Sequence, residues 1–318
     1  MAILLLLFLG GLALFLLLYR LNTAVPRVRV PLPQAPFVSE NRPAFEGVLE
    51  GVRRPLSVAV SPDGQRIYVA EGWGERAVRI LDASGRELGT IAPPATDVFD
   101  RQPTAVAVTP DGTVFVVERI LRRVLKYDGN GKFLGELMPP VDEDWAPLGI
   151  GVDASGKLYV AEALDLPDRA RHRILVFEST GQLVSVFGSK EDDPAGLSFP
   201  HDVAVDAQGR VYVATIDAVK VFDENGQFLF ALGGGGEVMP GIPWGVAVHD
   251  DRLYVVDLTN HRLLGYDISG ERPTSSFAIG GYGTELGALR FPQGIAVSAT
   301  GKLFIADRDN DRIAVWAH

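Results

Sequence analysis

Six times along the chain the same short pattern returns, P-x-x-[VI]-[AG]-V: PLSVAV (55–60), PTAVAV (103–108), PLGIGV (147–152), PHDVAV (200–205), PWGVAV (243–248) and PQGIAV (292–297). Their prolines stand 48, 44, 53, 43 and 49 residues apart. Each pattern is followed by a turn (SPDG, TPDG, DASG, DAQG, HDD, SATG) and then by a second run of β-branched and aromatic residues, such as RIYVAE or KLYVAE. A third run comes next, such as AVRILD or RILVFE, and after another tight turn the first five units add a fourth, such as ELGTIA. Alternating β-forming residues between Gly and Asp turns predict hairpins. Self-similarity at this period predicts that every unit is one supersecondary module of a larger array.

Four antiparallel strands per unit, repeated six times, predict the blades of a β-propeller. Separate sheets would leave two unpaired edges each, and ring closure with blades packed face to face avoids that arrangement. The sixth unit ends at His318 after three strands, so its outer strand is expected from Ala44 to Leu49, AFEGVL, which would latch the ring. The inner strand of every unit carries a small residue (Ala59, Ala107, Gly151, Ala204, Ala247, Ala296), as crowding near an axis requires. These repeats resemble NHL repeats, whose consensus runs P-x-G-[IV]-A-[VI]-D, G-x-[IL]-[YF]-V-[AS]-D and N-x-R-[IV]-x-V-[FY]. The fifth unit carries Asn260, His261, Arg262 and Leu263 at the namesake positions, and the resemblance spans residues 44–318. It implies an all-β, six-bladed fold and leaves function open, because such propellers serve as peptide-amidating lyases, RNA-binding modules and sensor domains.

Residues 2–19, AILLLLFLGGLALFLLLY, form an uncharged apolar run that as a helix nearly spans a bilayer core. A cleaved secretory signal needs a basic start and a small-x-small site, which are not found here. The expected organisation is a transmembrane anchor over 1–20, a Pro-rich extended stem over 21–43 and the propeller over 44–318. Arg20, Arg27 and Arg29 follow the run, and the positive-inside rule then places the body in the cytoplasm. A single N-terminal anchor with a Pro-rich stem and a β-rich body is commonly exported. An extracytoplasmic propeller is the expectation adopted, with the cytoplasmic side left open.

The chain has no Cys, which removes thiolate catalysis and Cys-based metal sites. Its net charge is -10, and residues 1–46 hold four Arg and two Glu, so the remainder carries -12. So acidic a body argues against nucleic acid as partner. The loops joining one unit to the next (93–102, 139–146, 189–199, 233–242, 280–291) hold ten acids and three bases. They predict an acidic collar on the face where the inner strands begin, facing a protein partner or a small ligand.

Acids ending the second strands recur five residues before an Arg: Glu71 and Arg76, Glu118 and Arg123, Asp257 and Arg262, Asp307 and Arg312. Repeated pairs on opposite arms of a hairpin read as scaffold. Glu162 and Arg173 read as the same pair stretched by an insertion over 163–172. The positions after the repeated Pro do not repeat, and they lie where inner strands enter the axial channel. His201, Asp202, Trp244 and Gln293, with Thr104, are the candidate ligand-binding set, facing Leu56 and Leu148. The lyases that resemble these repeats hold zinc through three His from different blades. In this chain only His201 occupies such a position: His172 and His261 are expected in loops between second and third strands, His249 in a turn of the opposite face, and His318 at the chain end.

No cofactor is therefore predicted. Zinc would have at most His201 and Asp202 as ligands, and a calcium ion held by carbonyls and an Asp would leave no sequence trace. The functional expectation is a membrane-anchored, non-catalytic binding or scaffold propeller acting through the channel mouth. The alternative is a metal-dependent lyase or hydrolase centred on His201 and Asp202.

Overall fold

The structure is a computed structural model that describes residues 42–138, 144–190, 194–232 and 239–318. The expected anchor, and all of the stem except residues 42 and 43, lie outside the described residues. Among the described residues no helix is long and apolar enough to cross a membrane.

The strands, in chain order, are β1 (Ala44–Leu49), β2 (Pro55–Val60), β3 (Arg66–Glu71), β4 (Val78–Asp82), β5 (Glu87–Ile91), β6 (Pro103–Val108), β7 (Val114–Glu118), β8 (Arg123–Tyr127) and β9 (Phe133–Leu137). They continue as β10 (Pro147–Val152), β11 (Leu158–Leu166), β12 (Arg169–Phe177), β13 (Leu183–Phe187), β14 (Asp202–Val205), β15 (Val211–Ala214), β16 (Val219–Phe222) and β17 (Phe228–Leu232). The last are β18 (Pro243–His249), β19 (Arg252–Asp257), β20 (Arg262–Asp267), β21 (Thr274–Gly280), β22 (Pro292–Val297), β23 (Leu303–Asp307) and β24 (Arg312–Ala317). They form six four-stranded antiparallel sheets, five of consecutive strands and one ordered β1-β24-β23-β22.

The sheets lie face to face around a ring. Each apolar cluster draws on two neighbouring blades: Phe115 and Val117 of the second pack with Leu158 and Leu175 of the third. Ring closure is visible where Val58, Ile67 and Val69 of the first blade pack with Phe304, Ile313 and Val315 of the last. Middle strands covered on both sides read as unbroken apolar runs, and β7 and β15 are buried at every residue. The latch pairs Ala44 with Ala317 and Leu49 with Ile313, with a register shift between Phe45 and Gly47. Phe45 packs edge-on against Trp316 at a centroid distance of 5.2 Å.

The third blade departs from the others. The segment 163–172, expected as an inserted loop holding His172, is a continuous ladder in which Ala163 pairs with His172 and Leu166 with Arg169. His172 is therefore a strand residue, because alternating Ala163-Leu164 and Arg171-His172 extend the pairing rather than break it.

Inner strands approach one another so closely that side chains are excluded at set positions. A Cβ on Gly149 would sit 2.3 Å from the His201 carbonyl oxygen, and one on Gly245 the same distance from that of Gln293. We expect Gly245→Ala to lower stability by about 1–3 kcal/mol, the usual cost of overpacking. Gly89→Ala, whose Cβ would meet only Ile80 at 3.9 Å, should be neutral or slightly stabilising, and thermal unfolding of the two variants checks this.

Candidate functional site

In every blade the inner strand starts at one end of the axial channel, the mouth. The loops between blades and those between second and third strands open on this same face, as antiparallel connectivity requires. The tight turns lie on the opposite face.

The buried acids are part of the frame of the mouth. Asp257 and Arg262 meet at 3.0 Å, Asp307 and Arg312 at 2.7 Å, and Glu162 and Arg173 at 2.5 Å. Two expected pairs are corrected. Glu71 takes Arg79 at 2.9 Å, not Arg76. The first blade's loop is one residue longer, so Ala77 stands across from Glu71 and Arg76 falls in the turn at φ 46°. Arg123 is paired in register with Glu118 but turns outward to Glu136, at 3.4 Å. Glu118 instead accepts the Gln102 N–H at 2.8 Å. Burial pushes it up to about 7, against the lowering effects of that hydrogen bond and of Arg101.

The same acids hold the entry of the inner strands. Glu71 accepts the Arg53 N–H, Glu162 that of Ala146 and Asp307 that of Arg290. Arg312 donates to the carbonyls of Thr284, Glu285 and Ala288, and so orders the loop before β22. Histidines serve the junctions between blades. His172 Nδ1 receives the Phe199 N–H at 3.1 Å and His261 Nδ1 the Phe291 N–H at 3.0 Å, a role that Asp311 plays for Arg54. The three donating residues, Phe199, Phe291 and Arg54, precede a proline and have φ of 55°, 47° and 45°. Such backbone persists in side-chain-bearing residues only when its surroundings over-determine it.

The axial channel holds a cavity of about 210 Å³ that runs along the inner strands, with Leu56, Ser57, Thr104, His201, Asp202 and Trp244 at its mouth and Val60, Val108, Val205 and Val248 at its far end. His201 is buried. Its Nδ1 lies 2.7 Å from the Phe199 carbonyl and its Nε2 2.8 Å from that of Pro243. Burial holds its pKa below the ordinary value, although the two carbonyls act the other way. Neither nitrogen has a lone pair free to face the channel. The ring instead stacks on Trp244, with centroids 4.3 Å apart and planes at 24°.

Asp202 is half-buried on the channel wall. Its Oδ2 accepts the Val246 N–H of the next blade at 2.9 Å, and its Oδ1 the Val203 N–H at 3.0 Å. Ser57 makes the equivalent link three junctions before, accepting the Val106 N–H at 3.2 Å. Thr104 donates to the Leu148 carbonyl at 2.9 Å. Gln293 is buried beside the channel rather than lining it. Among those residues, no three His, Asp or Glu side chains are grouped to hold a metal ion.

The collar also needs correction. Of its ten acids, Asp142, Glu143, Glu191, Asp192, Asp193 and Glu237 lie outside the described residues. Asp97, Asp100, Asp144 and Glu285 are described, and Asp144 is paired with Arg169. Loops between second and third strands add Arg76, Arg119, Arg122 and Arg308 to this face together with Glu75, Asp168, Asp217, Asp309 and Asp311, so its described part is of mixed sign. The sequence count took only the loops between blades.

Uncovered apolar side chains were not anticipated. Trp73, Phe99 and Tyr282 are 58%, 81% and 68% exposed, and all three sit on mouth-face loops with Ile120, Met138, Ile216 and Leu286. The other large exposed apolar residues among those described lie on outer strands (Leu88, Phe133, Leu134, Val184, Val186, Leu229), and none on the opposite-face turns.

Asp202 carries a pH signature. Burial pushes its carboxyl up to about 7, against two lowering backbone hydrogen bonds. A carboxyl raised in the folded state stabilises the fold below its ordinary value, and that stability is lost as pH climbs through about 7. Asp202→Asn, relative to the parent, should therefore gain melting temperature as pH rises from about 4 to 8. A constant difference across that range would contradict the assignment.

The model of the NHL repeat matches residues 289–316, a span that takes in β22, β23 and β24 up to its penultimate residue. Among solved structures, a streptogramin B lyase is 15% identical, with 86% of this chain and 97% of that one covered and a TM-score of 0.59. Hydrazine synthase of Kuenenia stuttgartiensis is 16% identical over 83% and 96% of the two chains, with a TM-score of 0.57. A nidogen/laminin complex gives 17% identity, 78% and 85% coverage and a TM-score of 0.57. At these identities the likeness is one of fold.

Proposed function

We propose that this six-bladed β-propeller with its NHL repeat is a non-catalytic binding module, tethered to a membrane by residues 2–19, that contacts a protein partner through its mouth face. The observation that carries the reading is the placement of Trp73, Phe99, Tyr282 and Leu286, large apolar side chains uncovered on that face, while the opposite-face turns present none among the described residues. Exposed aromatic side chains among polar and arginine neighbours are the usual anchors of protein interfaces. The fold is compatible with protein contact and with lyase chemistry alike, so the choice rests on the residues. A lyase or hydrolase built on His201 and Asp202 would need a base or a metal ligand. His201 has both nitrogens against carbonyls, and Asp202 is held by two backbone N–H groups.

A photoreactive phenylalanine analogue placed at position 99 or 282 of the full chain in its native cells should form a discrete cross-link to a protein, weakened by Trp73→Ser. The analogue at Asn130 or Asn225, exposed in opposite-face turns, should form none. Equal products from both faces, or products from the turns alone, refute the reading. For the tether, the full chain should sediment with membranes while a chain lacking residues 1–41 stays in the supernatant. Residence of both in the supernatant would remove residues 2–19 as an anchor.

A further inference from the structure

Fully buried acids in this propeller meet an arginine: Glu71 with Arg79, Glu162 with Arg173, Asp206 with Arg210, Asp257 with Arg262 and Asp307 with Arg312. Glu118 lacks such a pair but is buried, and the Arg101 charge acts on it. Asp202 differs from all of them. It stands on the wall of the channel mouth, accepts only backbone N–H groups, and has no ion pair among the described residues. A carboxylate drawn partly out of water without a counter-cation is costly, and a cation that enters the cavity would remove that cost.

We propose that the channel mouth binds a primary alkylammonium group, with Asp202 as counter-ion and the Trp244 indole beside it. Three features select this chemistry. A calcium ion takes six or more oxygen ligands and a zinc ion at least three protein ligands. Here one carboxylate is present, and the His201 nitrogens already face the carbonyls of Phe199 and Pro243. An ammonium on a short chain needs less: one carboxylate, an aromatic neighbour and apolar walls for its methylenes. Trp244 is fixed by stacking on His201, and Leu56 supplies apolar wall. The cavity of about 210 Å³ runs from these mouth residues along the channel to Val60, Val108, Val205 and Val248 at the far ends of the inner strands, so an alkyl chain has room to extend inward from the mouth. Butylammonium and a lysine side-chain end are the simplest groups of that shape. The ammonium can therefore be a free amine or a lysine of the protein partner.

This inference rests on the mouth being a binding face, and it deepens that reading by naming the group taken. The test uses the full chain in detergent micelles, with n-butylammonium chloride as probe and with 1-butanol and calcium chloride as comparisons. Tryptophan fluorescence and melting temperature should respond saturably to butylammonium and to neither comparison. Asp202→Asn should weaken the response at least about tenfold. So should Asp202→Ser, which keeps a hydroxyl to accept the Val246 N–H as Ser57 does for Val106. These two variants should melt no lower than the parent at about pH 8, so that lost binding is not lost folding. A blocked peptide with one central lysine that binds at least about tenfold tighter than butylammonium, and loses this on lysine acetylation, assigns the site to a partner's lysine. Equal or weaker peptide binding assigns it to a free amine. No saturable response, an equal response to butanol, saturation by calcium, or unchanged binding in both variants would overturn the proposal. Butylammonium binding without mouth-face cross-links would sink the protein-contact reading alone, and cross-links without butylammonium binding would sink this one.

Discussion

A four-stranded sheet that is apolar on both faces cannot stand alone in water, and the molecule is organised by that constraint. Each blade covers its neighbours, so Phe115 and Val117 meet Leu158 and Leu175 across one junction, and Val58 and Ile67 meet Phe304 and Ile313 across the last. The ring has no free face as a result. It also draws six inner strands together until backbone meets backbone, which is why Gly149 and Gly245 have no room for a Cβ. Closure by β1 completes the sixth sheet and leaves Trp316 against Phe45 instead of water.

Packing this tight leaves polar groups at blade junctions that must find partners, and the ionisable residues are largely spent on them. Glu71, Glu162 and Asp307 receive backbone N–H groups at the entry of an inner strand while pairing with arginine. His172 and His261 receive the N–H groups of Phe199 and Phe291, and His201 bridges two carbonyls. Residues that look like chemistry in a list of side chains therefore act as fasteners. Asp202 is the exception in charge: it fastens the next blade through Val246, yet it keeps a carboxylate on the channel wall without a cation.

Much of the candidate site was legible in the sequence, because the positions after each repeated Pro must fall at the channel mouth once the repeat is seen. His201, Asp202, Thr104 and Trp244 all line it, whereas Gln293 is buried beside it. The acid and arginine spacing led to Asp257 with Arg262 and Asp307 with Arg312, and misled at Glu71, where one extra loop residue moves the register. It misled at Glu118 too, since register pairing does not say which way Arg123 turns. Nothing in composition separated Trp73, exposed on a loop, from Trp145, buried in the junction of the second and third blades.

By itself the sequence determined the number of blades, the strands within each and the segment that latches the ring. Those follow from turn chemistry and from β-type runs repeated at a near-constant period, which are local properties of the chain. Only the tertiary structure decided what each side chain touches. His201 meets a carbonyl 42 residues away, and Asp202 an N–H 44 residues away. Contacts of that kind arise from the approach of one blade to the next, a distance that no run of neighbouring residues encodes.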